Sequence, residues 1–164
     1  IKADFTDDKV CQWLEQNQRE LGKMPVRVNK DIAGFIGNRL QHAMIREALY
    51  LIQDGVVSAE GIDTAVRYGF GFRLLACGPM MQKEMSGWDT NYYAASSLYP
   101  DLHADKTPPP LMKAMIEQGH LGMKTKHGMW EWTDESVKQE KGRIEKILQQ
   151  ALAILNADMK EQRK

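Results

Sequence analysis

A chain of 164 residues, 43% hydrophobic and 27% charged, has the composition of a globular domain and excludes a wholly disordered protein. Its 22 basic residues cancel its 22 acidic ones, so the basic footprint of a nucleic-acid binder is missing; no apolar run approaches the roughly 20 residues of a membrane span. Cys11 and Cys77 show no Cys-x-x-Cys spacing, which argues against a disulfide scaffold or zinc site and for the cytoplasm.

From Thr6 to Leu21 the spacing predicts a helix, with Thr6 as N-cap, Asp7 and Asp8 in the first turn, Val10, Leu14 and Leu21 on one face, and Gly22 at its end. Met24, Val26 and Val28 then alternate as in a short strand. A lone strand leaves its backbone groups unpaired. Residues 1–29 therefore read as the last helix and strand of a domain lying upstream, and the start at Ile1 as part of something longer.

The next segment runs from Asp31 to Gly55, with apolar side chains at 32, 36, 40, 43, 44, 48, 51 and 52. This is the spacing of a long helix stopped by Gly55. Ser58 caps a short helix carrying Ile62, Ala65 and Val66, which runs into Gly69-Phe70-Gly71. Pro79 suits the first position of another helix, and Asp89 caps one bearing Tyr92, Tyr93 and Leu98. Residues 100–110 contain four prolines and read as a surface connection. Leu111–Glu117 is a short helix closed by Gly119, residues 121–132 a tight hairpin-like loop, and Thr133 the cap of a final amphipathic helix. The body, residues 30–164, is predicted to be all-α around a long central helix, with the ten methionines mostly in its core.

Nucleotide fingerprints are missing: no Gly-x-Gly-x-x-Gly follows a strand, and Gly69-Phe70-Gly71 follows a helix. His42, His103, His120 and His127 lack partners at metal-ligand spacing and read as surface or packing residues. Asn38 and Glu47 lie about two and a half turns apart at 3.6 residues per turn and do not share a face. Asn38 has two readings, a local backbone partner at a helix start or a functional amide. Arg39 and Arg46 share a stripe that is either solvated or anion-binding, and Arg73 stands exposed at a backbone kink.

The order of these pieces resembles one family. Leu21 to Asp31, then Gly34-Phe35-Ile36-Gly37-Asn38-Arg39-Leu40, Glu47-Ala48, Gly55-Val56-Val57-Ser58, Ile62-Asp63-Thr64-Ala65, Gly69-Phe70-Gly71, Gly78-Pro79 and Asp89-Thr90 are similar to the 3-hydroxyacyl-CoA dehydrogenases. Gly122-Met123-Lys124-Thr125 through Trp130 is similar to that family's closing Gly-x-Lys-Thr-x-x-Gly-aromatic segment. The resemblance implies a C-terminal helical domain, of the 6-phosphogluconate dehydrogenase C-terminal type, that dimerises and closes over an acyl-CoA. It also implies an upstream Rossmann domain that binds NAD and carries the catalytic His and Glu, so this chain alone should be inactive. Onto Asn38 the family's Gly-Phe-x-x-Asn-Arg motif carries a role in orienting the reacting group by hydrogen bonding. Three departures stand out: Ala33 for a usual Pro, Gly71-Phe72-Arg73 for Gly-x-Pro, and Met80-Met81-Gln82 for Phe-Glu-Leu. Arg73 resembles the branch that oxidises small 3-hydroxy acids such as gulonate or carnitine, because a guanidinium binds a free carboxylate bidentately. A helical dimerisation module without catalysis is the remaining alternative.

Overall fold

The computed structural model of the chain describes residues 2–161, in two units, Ile1–Ile45 and Arg46–Lys164. Helix α1 (Asp8–Glu20) opens the first. Its N-cap is Asp7, one residue later than the predicted Thr6: the Asp7 carboxylate accepts from Lys9 N at 2.8 Å, and Thr6 Oγ1 instead accepts from Ala3 N. Gly22, at φ +75°, ends the helix as its composition requires.

Residues 24–28 do not form the predicted strand. Val28 O accepts one bond, from Lys2 N at 3.2 Å, and no ladder neighbours the segment among the described residues. Alternation of apolar residues specifies a face, but only a pairing partner makes a strand.

Helix α2 (Gly37–Gln53) starts five residues later than the apolar spacing suggests, because Gly34 and Phe35 turn the backbone left-handed. Its end is as expected: Gly55, at φ +70°, lets Val56 N reach Leu51 O at 3.0 Å. Helix α3 (Ala59–Thr64) is capped by Ser58, whose hydroxyl accepts from Gly61 N. The chain then widens into a π turn, Ala65–Phe70, kinked at Gly69, before the single turn α4 (Gly71–Arg73). Helices α5 (Pro79–Ser86) and α6 (Trp88–Leu98) follow, Pro79 at its predicted place. Gly87, not Asp89, occupies the α6 N-cap, and Asp89 lies in the first turn. Helix α7 (Pro110–Glu117) and the long α8 (Asp134–Glu161) complete the body. Thr133 caps α8 as expected, exchanging bonds with Ser136 at 2.9 and 3.1 Å.

The second unit is organised on the C-terminal half of α2. Leu49 and Tyr50 are its buried large side chains, and Pro109 is buried with them. Polar groups along the same stripe grip the proline-rich segment: Glu47 Oε2 accepts from His103 N at 2.9 Å, Arg46 Nη1 donates to Asp105 O at 3.0 Å, and Gln53 Oε1 accepts from Leu111 N at 3.1 Å. The 100–110 connection is thus fastened to a helix, and Arg46 is structural. No methionine is buried, against the expectation of a methionine core; Met80, Met81 and Met85 on α5 stand largely in solvent. Helix α8 shares no extensive interface with another helix, and Ile144, Leu148, Leu152 and Leu155 along it are exposed. No described helix is long and apolar enough to cross a membrane.

Candidate functional site

The entry to α2 is built by a turn that ordinary side chains avoid. Phe35 N donates to Ile32 O at 3.1 Å, closing a reverse turn with Gly34 at φ +77°. Phe35 itself follows at φ +46°, in the left-handed region that a bulky residue occupies only when its surroundings hold it there. Ile36 O accepts the first helical bond, from Leu40 N, and its side chain has no oxygen with which to cap the helix. The backbone N–H groups of Gly37, Asn38 and Arg39 have no partner among the described residues.

Asn38 is the second residue of α2, exposed, and its amide makes no hydrogen bond to the described residues. The local-backbone reading of this residue is therefore not realised here. An amide both donates and accepts and does not titrate, so a group placed this way can orient a polar reactant without exchanging protons with it. Glu47 serves the proline-rich segment, accepting from His103 N.

Arg73 closes α4 in the second unit, whereas Asn38 belongs to the first. The Arg73 carbonyl accepts from Ala76 N and Cys77 N, and its exposed guanidinium pairs with no carboxylate among the described residues. The preceding glycine cluster is structural: a Cβ on Gly71 would lie 2.5 Å from Val66 O, so the close approach of two backbones in the kink excludes any larger residue. It cradles nothing. With no strand and no glycine-rich strand-to-helix turn among them, the described residues do not fit the pyrophosphate of NAD.

Two grooves beside the 122–131 loop escaped the sequence reading. The loop 122–131 is held by Gly122 N to His127 O at 2.7 Å and Trp132 N to Lys126 O at 2.9 Å, with Lys126 at φ +64°. On one side of it a cleft of about 650 Å³ is lined by Met112, Met115, Met123 and Met129 among others. On the other, a groove of about 590 Å³ is walled by Arg67, Tyr68, Trp132, Glu140 and Arg143. The Arg143 guanidinium, hydrogen-bonded to Glu140, holds that carboxyl below its ordinary range. The paired glycines signalled the loop, but nothing in the sequence signalled the grooves, the first of which needs α7 and the loop brought together and the second α3, the loop and α8. No group of three or more His, Cys, Asp or Glu among the described residues could hold a metal ion.

The described residues form an all-α fold with an exposed amide at the start of α2 and no strand-to-helix nucleotide cradle. The sequence pattern of the 3-hydroxyacyl-CoA dehydrogenase C-terminal domain matches residues 34–132, and the chain belongs to that family.

The chain is 35% identical over 138 residues (84% of the chain, 45% of the relative) to 5-formyl-3-hydroxy-2-methylpyridine 4-carboxylate 5-dehydrogenase of Mesorhizobium japonicum. A crystal structure of an enzyme of that name, described as an NAD+ dependent dismutase, superposes with a TM-score of 0.84 at 28% identity, covering 96% of this chain and 49% of that one. The 3-hydroxybutyryl-CoA dehydrogenase of Bradyrhizobium diazoefficiens is 33% identical over 133 residues, 80% of the chain and 44% of the relative. L-carnitine dehydrogenase of Oceanobacillus iheyensis is 41% identical over 87 residues, 53% of the chain and 28% of the relative. The chain thus spans less than half the length of these relatives.

Proposed function

We propose that this chain is the substrate-binding and dimerisation part of an NAD-dependent dehydrogenase that oxidises a 3-hydroxyacyl-CoA to the 3-oxoacyl-CoA, as in fatty acid metabolism. Residues 1–29 are the end of the NAD-binding domain and residues 30–164 the helical domain. The observation that carries this reading is Asn38: within the family-matched stretch, its amide stands exposed at the start of α2 with its hydrogen-bonding capacity unused. It would orient the 3-hydroxyl group and the base that takes the hydroxyl proton, and NAD, held by the preceding domain, would accept the hydride from the carbon that bears the hydroxyl. Free thiols at Cys11 and Cys77 support the cytoplasm as its compartment.

The test is turnover of 3-hydroxybutyryl-CoA with NAD by the complete enzyme, alongside Asn38→Ala. Turnover is expected, with kcat lower in the variant by about tenfold to a hundredfold. A complete enzyme without turnover refutes the reaction, and an undiminished variant refutes the role of Asn38.

Arg73 favours a second reading, oxidation of a small 3-hydroxy acid whose free carboxylate the exposed guanidinium holds. The similarity to an L-carnitine dehydrogenase is in keeping with it. Arg73→Met then raises KM for the free acid and leaves the thioester unaffected, whereas equal KM values for the acid in both forms refute this reading.

A further inference from the structure

The strained entry to α2 and the exposed Asn38 amide are joined by one side chain. Arg39 reaches back along the chain, its Nη1 donating to Ala33 O at 3.3 Å. Gly34, at φ +77°, turns its open face toward the same place: a Cβ built there would lie 3.4 Å from Arg39 Cγ and 3.6 Å from Asn38 Cβ. The turn, the Arg39 stem and the root of Asn38 therefore pack against one another. Ile36 provides no cap, and the first three backbone N–H groups of α2 bond to nothing described, so Arg39 is the one side chain among the described residues that hydrogen-bonds from the first turn of α2 back to the turn before it. A left-handed Phe35 persists only where such constraints hold it.

We infer that Arg39 is a positioning residue for Asn38: by tying the Gly34–Phe35 turn to the first turn of α2, it fixes the direction in which the Asn38 amide leaves the helix. The inference rests on the reading of Asn38 given above. Arg39 itself touches no substrate in this scheme. Its guanidinium can be replaced in part by another long donor, because the bond it makes is to a single carbonyl oxygen; an apolar side chain of similar length cannot make it.

The test is a mutant cycle in the complete enzyme, with kcat, KM and thermal midpoint measured for Arg39→Met, Arg39→Lys, Asn38→Ala and the Asn38→Ala/Arg39→Met double variant. Arg39→Met should lower kcat by about tenfold to a hundredfold, the loss expected of a misplaced orienting group, with KM little changed; Arg39→Lys should recover part of it. In the double variant kcat should be no lower than in Asn38→Ala, since a residue that acts only through Asn38 has nothing left to position. Selective 15N-asparagine labelling adds a readout free of turnover: the Asn38 side-chain signal, assigned by its loss in Asn38→Ala, should move in Arg39→Met.

Unchanged kcat in Arg39→Met beside a slow Asn38→Ala overturns the inference and spares the role of Asn38, as do losses that multiply in the double variant. Full activity in Asn38→Ala removes the role of Asn38 itself. An Asn38 signal unmoved by Arg39→Met overturns the positioning whatever the rates.

Discussion

The imidazole of His103 lies flat on the phenol ring of Tyr50, with centroids 3.8 Å apart and 7° between the planes. Tyr50 comes from α2 and His103 from the proline-rich segment, so this stack, with the Glu47 and Arg46 bonds beside it, holds the segment to the helix. Burial, and then the hydrogen bond to Asp105, push the Tyr50 phenol above its ordinary pKa.

The sign of the alkaline dependence follows. A phenol with a folded pKa above its unfolded one contributes stability in full below the unfolded value, about 10, and loses it as pH rises through the folded value. Tyr50→Phe is expected to flatten stability on the alkaline side, and His103→Ala to lower the denaturation midpoint at every pH. Guanidinium melts of both variants between pH 7 and 11 check this; a Tyr50→Phe curve parallel to the parent's would refute it.

Acid stability depends on a different set of groups. Hydrogen bonds from Lys2 and Arg27 hold the carboxyls of Asp8 and Glu15 on α1 below their ordinary range. Depressed carboxyl pKa values stabilise the folded state above the unfolded values, near 4, and the contribution disappears as pH falls through the folded values. Arg27→Gln should therefore move the acid loss of α1 helicity to higher pH, by a small amount because exposed pairs are weak. Circular dichroism from pH 5 to 2 decides it, and coincident profiles would count against it.

In the 122–131 loop the two glycines are not equivalent. A Cβ on Gly128 would lie 2.8 Å from the Gly122 Cα, whereas Gly122 at φ +77° has open space around it. Gly122→Ala bears only the left-handed backbone cost, about 1–2 kcal/mol. Gly128→Ala forces two backbones apart and should cost more, up to about 3 kcal/mol. Urea denaturation of both variants tests the order, and a milder effect at Gly128 would contradict it.

The exposed apolar stripe of α8 predicts association. Leu148 and Leu152 are 62% and 57% exposed on a helix without an extensive neighbour, and apolar faces of this kind mark interfaces. The protein is expected to sediment as a dimer, and Leu148→Glu with Leu152→Glu to weaken it. A monomer at micromolar concentration would rule this out.

By itself the sequence determined the helical body, most of its stops and starts, and the family. Gly55, Ser58, Pro79 and Thr133 act through their own backbone neighbours, and such effects are written locally. The paired glycines did the same for the loop after Gly122. Other features depended on groups distant in the chain. Whether Met24–Val28 became a strand depended on a partner that residue spacing does not encode. The late start of α2 came from left-handed Gly34 and Phe35, which apolar periodicity cannot register. Only the tertiary structure decided that Arg46 and Glu47 serve a segment more than fifty residues away, that none of the ten methionines is buried, and that Arg39 reaches back to Ala33. Burial and side-chain direction are properties of what a residue meets in space, and the chain order names only its neighbours in sequence.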